Sequence, residues 1–323
     1  MKKFLLIILL LLVLMVPFIW WGDQSDLPNG IHFEKQSGSI VMQVDDSFTA
    51  PFQIPVVWVK SHPWEKPPVI NNLLLLNQSG EKIAAINGEY HLENSLSQRS
   101  NWYEREVRGE VEFILNGDKT MDDFGYTTKP ISNTLKESYV PTELQLTYEG
   151  NPYVYTFDKL LKLLTFHENN YELNSSWEID SFYFHHQGEP EPKIKGLFLE
   201  ANVIPDTKLE EILLWLPGMP EDYFEEYAQY TFDTDSIQAS NTTSSFGGKP
   251  LTLPLEISSS NILLYFPFTD EMVETIGGST LNLFPHFKVE DKNGNIFYRD
   301  GGGMVGKLSD EDDHKEFLSL TTE

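Results

Sequence analysis

The sequence contains one adjacent pair of histidines, His185 and His186, and histidine is a common metal ligand and acid–base group. The surrounding residues predict a β-strand, in which neighbouring side chains point to opposite faces. Phe182, Phe184 and His186 are expected on one face of that strand. Tyr183 and His185 are expected on the other. Because two histidines on opposite faces cannot easily share a metal ion, the pattern favours a strand end over a metal site.

Two acidic segments carry the oxygen atoms that Ca²⁺ prefers. Asp291, Asn293 and Asn295 alternate as in a calcium loop. However, the glycine falls at loop position 4 instead of 6, and position 12 is Gly302 instead of glutamate. A hairpin turn explains this segment better. The acidic tail Asp310–His314 is expected to bind cations only loosely, because ordering a flexible chain costs entropy.

Carboxylate pairs and exposed aromatic side chains would suit glycoside hydrolysis. Glu189 and Glu191 form one such pair, but the distance between two carboxylates that this chemistry requires cannot be read from sequence. A run of aromatic residues at helical spacing is typical of a helix packed on a sheet, with a sugar-stacking platform as the alternative. The run consists of Tyr223, Phe224, Tyr227 and Tyr230. For Trp58, Trp64 and Trp102, core and platform are equally compatible with the sequence.

Several other chemistries are disfavoured by missing motifs. The chain has no cysteine, which excludes thiol catalysis, and it lacks G-x-S-x-G, S-x-x-K, Walker A and dinucleotide-binding motifs. The glycines at 301–303 lack the following helix that a phosphate site needs. We therefore predict no catalytic residue, no bound cofactor and no metal ligand.

The first structural element of the chain is an apolar run, Phe4–Trp21. Its 18 uncharged residues would span about 27 Å as a helix, close to the roughly 30 Å core of a bilayer. Lys2 and Lys3 precede the run, so the positive-inside rule places residues 23–323 outside the cytoplasm. A cleaved signal peptide is the alternative, but two tryptophans stand where signal peptidase requires small residues. We predict that this segment is an uncleaved signal anchor, and that the protein's partner there is the membrane itself.

The remainder of the chain is strongly acidic. Without Lys2 and Lys3 the 23 basic residues fall to 21, which against 49 acidic residues gives a formal charge of −28. Such a surface repels nucleic acid and attracts cations or a basic or envelope partner, although dispersed acids also serve solubility alone. Without cysteine there is no disulfide framework, so stability must come from the core. This combination fits the exterior of a Gram-positive type of cell.

Turn signals predict a mainly β chain. Asn-Gly tolerates the two positive φ angles of a type I′ hairpin turn. The four pairs are Asn29-Gly30, Asn87-Gly88, Asn116-Gly117 and Asn293-Gly294, and the last three are flanked by plausible strands. Other predicted strands are Gln53–Lys60, Thr142–Tyr148, Tyr153–Phe157, Lys193–Val203, Asn261–Phe266 and Leu281–Glu290. The predicted helices are Asp158–Phe166, Pro220–Tyr230 and Asp270–Ile276, the last capped by Thr269.

The polar, proline-containing segment 128–141 predicts a linker between two β-sandwich-like (Ig-like) units. The first unit would cover residues 30–127, and the second would cover 142–308 with short helical insertions. Before them lie the anchor (1–22) and a juxtamembrane linker (23–29). After them lies an acidic tail (309–323).

These features favour a membrane-anchored extracytoplasmic protein that binds or senses something at the envelope without catalysing a reaction. A carboxylate-dependent polysaccharide hydrolase is the alternative. A partner subunit packed through its anchor is a third possibility. It is disfavoured because Phe4–Trp21 contains no glycine, serine, alanine or polar residue for close helix contact.

Overall fold

The computed structural model of the protein describes residues 25–44, 51–96, 104–115, 117–122, 125–130, 138–167, 177–187, 193–233, 246–306 and 317–321. Across these ranges the chain is mainly β, as predicted. The longest helix in the described ranges has seven residues, well short of a membrane span. The predicted anchor Phe4–Trp21 lies outside the described residues.

The described ranges contain 24 strands. The first twelve are β1 (Gly30–Phe33), β2 (Gln36–Val44), β3 (Pro51–Val59), β4 (Val69–Asn77), β5 (Lys82–His91), β6 (Glu106–Ile114), β7 (Gly117–Asp122), β8 (Gly125–Pro130), β9 (Ser138–Tyr139), β10 (Pro141–Tyr148), β11 (Asn151–Thr156) and β12 (Leu161–His167). The others are β13 (Trp177–Gln187), β14 (Lys193–Val203), β15 (Thr207–Leu213), β16 (Gln229–Thr231), β17 (Lys249–Pro250), β18 (Leu255–Ile257), β19 (Asn261–Pro267), β20 (Thr280–Leu283), β21 (His286–Glu290), β22 (Ile296–Asp300), β23 (Met304–Gly306) and β24 (Ser319–Thr321). Two short helices, α1 (Tyr223–Glu226) and α2 (Asp270–Ile276), and a 3₁₀ turn at Leu92–Asn94 complete the described elements.

These strands form five sheets within the described ranges. A three-stranded sheet has the order β1-β3-β6, and a seven-stranded sheet has the order β24-β11-β10-β4-β5-β7-β8. A mixed five-stranded sheet has the order β23-β20-β2-β12-β9. The remaining two have the orders β13-β14-β19-β16-β17 and β18-β15-β21-β22.

The buried apolar side chains of the described residues form two large clusters. The first core collects side chains from β1 to β12, such as Ile54, Leu75 and Leu163, together with Leu318 near the C-terminus. The second core collects side chains between Trp177 and Phe297. Alternate residues of a strand face one side, so β14 directs its alternate apolar residues into the second core; these are Leu197, Leu199, Ala201 and Val203.

The Asn-Gly pairs predicted hairpin turns correctly in some places and wrongly in others. Asn293-Gly294 does form the turn between β21 and β22, with φ of 81° at the glycine. Asn87-Gly88 instead lies inside β5, where a register shift marks a bulge and Gly88 has φ of 81°; the predicted hairpin there was wrong. Positive φ at a glycine within a strand makes an extra residue possible without a chain reversal. Gly117 starts β7, which pairs with β5 and β8, whereas β6 pairs with β3, so no hairpin forms there either.

The helix predicted at Asp158–Phe166 was also wrong. Residues Leu161–His167 form strand β12, which runs parallel to β2 with Leu161 opposite Gly38. Short apolar runs are ambiguous between helix and strand, and pairing with a buried neighbour decides. Lys159, with φ of 60°, leaves the helical region just before the strand begins.

Of the other two predicted helices, Asp270–Ile276 forms as expected, and the one predicted at Pro220–Tyr230 is shorter. Thr269 caps α2, because its Oγ1 accepts a hydrogen bond from the Met272 N–H at 3.2 Å. The helix ends at Gly277 with φ of 55°. In Pro220–Tyr230 only α1 is helical, and the chain enters β16 shortly afterwards.

Strand β2 joins the two cores. It runs parallel to β12, which contributes to the first core, and parallel to β20, which contributes Leu281 and Leu283 to the second. Gly38 in β2 has φ of 85°, and a Cβ there would lie 2.1 Å from the carbonyl oxygen of Asn282. The Asn282 Nδ2 donates to the carbonyl of Ser37 at 3.2 Å. The backbones can approach this closely only because residue 38 is glycine.

The C-terminal residues return to the first core. Strand β24 pairs with β11, and the Leu318 N–H donates to the carbonyl of Phe33 at 2.9 Å. The predicted acidic tail began at residue 309; residues 307–316 lie outside the described ranges, but residues 317–321 are ordered against the first core. The first core also contains Leu144 and Leu163, beyond the predicted linker 128–141. The second core therefore arises from residues inserted between β12 and β24.

We predict that Gly38→Ala destabilises the protein more than Gly88→Ala does. Both glycines have positive φ, 85° and 81°, but at Gly88 no atom of the described residues lies within 4 Å of an added Cβ. The backbone strain shared by both variants is about 1–2 kcal/mol, and the clash at Gly38 adds to it. Urea unfolding of both variants measures the difference in the free energy of unfolding. Equal losses of unfolding free energy in the two variants would show that the close contact between β2 and β20 does not contribute to stability.

Candidate ligand groove between the two cores

The histidine pair lies on β13, and the predicted alternation is observed from Phe182 to His185, whereas the side chain of His186 lies outside the described residues. Phe182 and Phe184 pack on the second core, whereas Tyr183 lies on the opposite face. His185 Nδ1 lies 2.8 Å from the hydroxyl of Tyr265 on that opposite face. Burial raises the pKa of Tyr265 to about 12, so its hydroxyl stays protonated at neutral pH. His185 therefore contacts Tyr265, a member of a small aromatic cluster that is separate from the two large cores.

The Asp291 segment is a turn whose carboxylate is already occupied. Asp291 Oδ1 accepts the backbone N–H groups of Asn293 at 2.8 Å and Asn295 at 2.9 Å. Its Oδ2 accepts the side-chain amide of Asn295 at 3.0 Å. These donors, with the Asn295 side chain first, lower the pKa of Asp291 to about 2. Among the described residues, no group of three or more histidine, aspartate and glutamate side chains could hold a metal ion.

The aromatic residues singled out in the sequence divide between core and surface. Tyr223 is fully buried and its hydroxyl donates to the carbonyl of Pro267 at 2.8 Å. Phe224 and Tyr230 pack against the second core, and Tyr227 is exposed. Trp58 is buried in the first core, whereas Trp64 is 68% exposed. Glu189, Glu191, Asp310–His314 and Trp102 lie outside the described residues.

A groove of about 490 Å³ lies where strands of the first core meet strands of the second. Strands β2, β3 and β6 form one side, and the segment from β20 to β23 forms the other. The lining residues are Gln36, Ile40, Val41, Pro51, Phe52, Gln53, Pro55, Glu110, Asn282, Phe284, His286, Asp300 and Val305. We call this feature the groove.

The same contacts that hold the cores together fix the walls of the groove. The rings of Phe166 and Tyr298 stack with centroids 4.5 Å apart, and Phe166 also meets His286 at 5.5 Å. The backbone N–H of Trp215 donates a hydrogen bond to Ser39 Oγ at 3.0 Å. Each contact joins an element of one core to an element of the other, so the groove is built into the junction.

Gln36 is the unusual residue of the groove. Its side chain is 3% exposed, and its Oε1 has no hydrogen-bond partner among the described residues. Leaving a buried polar atom unpaired costs roughly 1–3 kcal/mol, and most buried polar atoms in proteins are paired. A ligand that donates a hydrogen bond to this oxygen, after a rotation of the Gln36 side chain, would recover that free energy.

Two carboxylates line the groove from different cores. Glu110 is exposed on β6, and Asp300 is exposed on β22 opposite His286 of β21. Asp300 Oδ1 accepts the Gly302 N–H at 2.9 Å, which orients its carboxylate. The described lining residues include no lysine or arginine. The groove is therefore rich in hydrogen-bond acceptors and negative charge.

Sequence reasoning did not select any residue of the groove. Gln36, Glu110 and Asp300 lie far apart in the chain and meet only through the packing of β2, β6 and β22. The one local signal was the polar run Gln36–Ser39 inside a strand whose later residues, apart from Gln43, are apolar. Polar residues in a buried strand indicate either a hydrogen-bonded contact or a site.

Comparison with known proteins identifies no relative that bears on function. No protein-family model matches the chain, and no curated protein matches it. Among solved structures, a marsupial T cell receptor is similar over 86% of this chain and 71% of that chain, with 9% sequence identity and a TM-score of 0.19. A TM-score this low carries no argument about the protein.

We predict that the Asp291 carboxylate stabilises the fold only while it is ionised. Its pKa is about 2 in the folded protein against 3.8 for the model compound, so the stabilisation is present above pH 3.8 and is lost as the pH falls towards 2. Asp291→Asn should lower the melting temperature at pH 7, and the difference from wild type should shrink towards pH 2. Asp26→Asn, at an exposed site, controls for the lost charge. A difference that does not vary with pH would contradict the role of ionisation.

Proposed function

We propose that this protein is a membrane-anchored, extracytoplasmic binding module without enzymatic activity, and that the groove is its ligand site. The observation that supports this most is that Gln36 lines a groove between two cores while its buried Oε1 has no hydrogen-bond partner among the described residues. Ligand sites are typically concave, largely preformed and lined by apolar walls with a few polar groups. The groove has this composition, with Phe52 and Phe284 beside Gln36 and Asn282.

The membrane anchor of the proposal rests on Phe4–Trp21. Its length, its uncharged composition and the two preceding lysines favour an uncleaved helix with residues 23–323 outside the cytoplasm. The formal charge of −28 for that part favours a basic or envelope partner and disfavours nucleic acid. A C-terminal reporter that is active outside the cell supports this orientation, and a reporter active in the cytosol overturns it.

We propose two β-sandwich-like, Ig-like units behind this anchor. The core clusters favour a boundary after β12 instead of the linker predicted at 128–141, because Tyr139 and Leu144 belong to the first core together with Phe33. Strand β24 then completes the first unit, and residues 177–306 form an inserted second unit. Apolar side chains from more than one sheet meet in each core, which is the arrangement that a sandwich requires.

A carboxylate-dependent polysaccharide hydrolase is the second candidate. The observation in its favour is that Glu110 and Asp300 line the same groove, since glycoside hydrolysis uses two carboxyl groups on either side of the bond. Incubation of the full-length protein with envelope polysaccharides, followed by detection of new reducing ends, tests it. Cleavage that disappears in both Glu110→Gln and Asp300→Asn would replace the binding proposal with this one.

We predict that filling the groove prevents retention on the envelope. Val305 lines the groove and is 53% exposed, so Val305→Trp should obstruct the site without disturbing either core. Ile296, also 53% exposed, does not line the groove, which makes Ile296→Trp a matched control. Full-length protein in detergent micelles is sedimented with isolated cell envelopes, and the bound fraction is measured.

The expected result is that wild type and Ile296→Trp sediment with the envelopes, whereas Val305→Trp stays largely in the supernatant. Equal sedimentation of all three proteins would exclude the groove as the binding surface. Absence of sedimentation for wild type would overturn the proposed envelope-binding function itself.

A further inference from the structure

We propose that the groove accepts a primary ammonium group on a short aliphatic stem, the chemistry shared by a lysine side chain and a free alkylamine. This inference rests on the proposed function of the groove as a ligand site, and it specifies what the ligand must present.

The charges of the groove favour a cation. Glu110 and Asp300 line it from opposite cores, and the described lining residues contain no lysine or arginine to neutralise them. An anionic ligand would meet two carboxylates and a chain of formal charge −26. The same field raises the local concentration of cations near the site. A cationic group is therefore the favoured ligand.

The polar atoms favour a donor-rich group. Gln36 Oε1 is a buried acceptor with no partner in the described part of the chain, and a rotation of its side chain would present it to a ligand. The two carboxylates are acceptors when ionised. An ammonium group offers three donors and no acceptor, which suits acceptors on three separate side chains. A guanidinium is a flat, rigid fork that pairs best with a single carboxylate. Three independent acceptors therefore favour ammonium over guanidinium.

The apolar walls favour an aliphatic stem. Phe52 is 3% exposed and its ring stacks on Phe113 with centroids 5.6 Å apart, so it forms a fixed wall. Ile40 and Phe284 line the groove and are half-buried. Lysine-like groups bury their methylene stem along apolar surface while the charged head keeps polar partners. A volume of about 490 Å³ has room for one such side chain with its flanking peptide.

The test uses full-length protein in detergent micelles and three probes. The peptides Ac-Gly-Lys-Gly-NH₂ and Ac-Gly-Nle-Gly-NH₂ differ only in the ammonium group, because norleucine keeps the aliphatic stem. The third probe, n-pentylamine, presents the ammonium without a peptide. Isothermal titration calorimetry measures the dissociation constant of each probe.

The lysine peptide should bind at least about tenfold more tightly than the norleucine peptide, because charge-assisted hydrogen bonds are the strong ones. Comparable affinity for n-pentylamine would identify a free amine as a sufficient ligand, and much weaker affinity would identify a lysine side chain within a chain. Both results support the proposal. Equal affinity for the lysine and norleucine peptides would overturn it.

Substitutions of residues that line the groove test whether the lysine peptide binds there. Glu110→Gln and Asp300→Asn should each weaken binding of the lysine peptide about five- to tenfold, whereas Glu178→Gln, which removes an exposed charge on β13, should leave it unchanged. Gln36→Leu should weaken binding while it keeps or raises the melting temperature, because an apolar replacement leaves no unpaired atom. Unchanged affinity in all three groove variants would place the binding elsewhere and overturn the proposal.

The envelope experiment distinguishes the two possible failures. If the lysine peptide does not bind but retention on envelopes still depends on Val305, the ammonium assignment fails and the groove remains the ligand site. If the lysine peptide binds in the groove but wild type is not retained on envelopes, the ammonium assignment stands and the envelope function fails.

Discussion

Strand β2 runs parallel to both of its neighbours, and its Gly38 lies so close to the carbonyl of Asn282 that no other residue type fits. Parallel strands need long connections, and here the intervening chain builds the rest of each core. The hydrogen bond from Asn282 to Ser37 and the one from Trp215 to Ser39 Oγ fix the same strand from the second core. These contacts fix β20 and the segment at Trp215 against β2.

The junction explains the polar character of β2. Ser37 and Ser39 are fully buried, and the Ser39 hydroxyl and the Ser37 carbonyl each bond to the second core. Two polar atoms of this run, the Ser37 hydroxyl and Gln36 Oε1, have no hydrogen-bond partner in the described part of the chain, and of these two residues Gln36 lines the groove. The strand that pairs with elements of both cores therefore also contributes a polar residue, Gln36, to the lining of the groove. This coupling is the physical basis for proposing that the groove binds a ligand.

Some local signals predicted local structure correctly, whereas the Asn-Gly pairs at residues 87–88 and 116–117 did not. Thr269 before a run of helix formers and Gly277 after it marked α2, and Asp291 with Asn293-Gly294 marked the β21–β22 turn, because capping and turn chemistry act within a few residues. The β character of the chain followed from its turn signals and Val, Ile and Leu content. Residues Asp158–Phe166 failed as a helix because parallel pairing with β2, decided by distant residues, overrides a short periodic run. The groove could not be predicted, since Gln36, Glu110 and Asp300 meet only when both cores are in place.

Strand β2, paired with β12 and β20, is expected to hold the two cores in one fixed arrangement. The chain has no cysteine, so cysteines introduced at the exposed positions Glu89 on β5 and Glu178 on β13 can be spin-labelled specifically. Pulsed electron paramagnetic resonance then measures the distance between the two cores in the full-length protein. A single narrow distribution is the result that this arrangement requires. A broad or multi-peaked distribution would show that the cores move independently and that the groove is not a standing feature of the molecule.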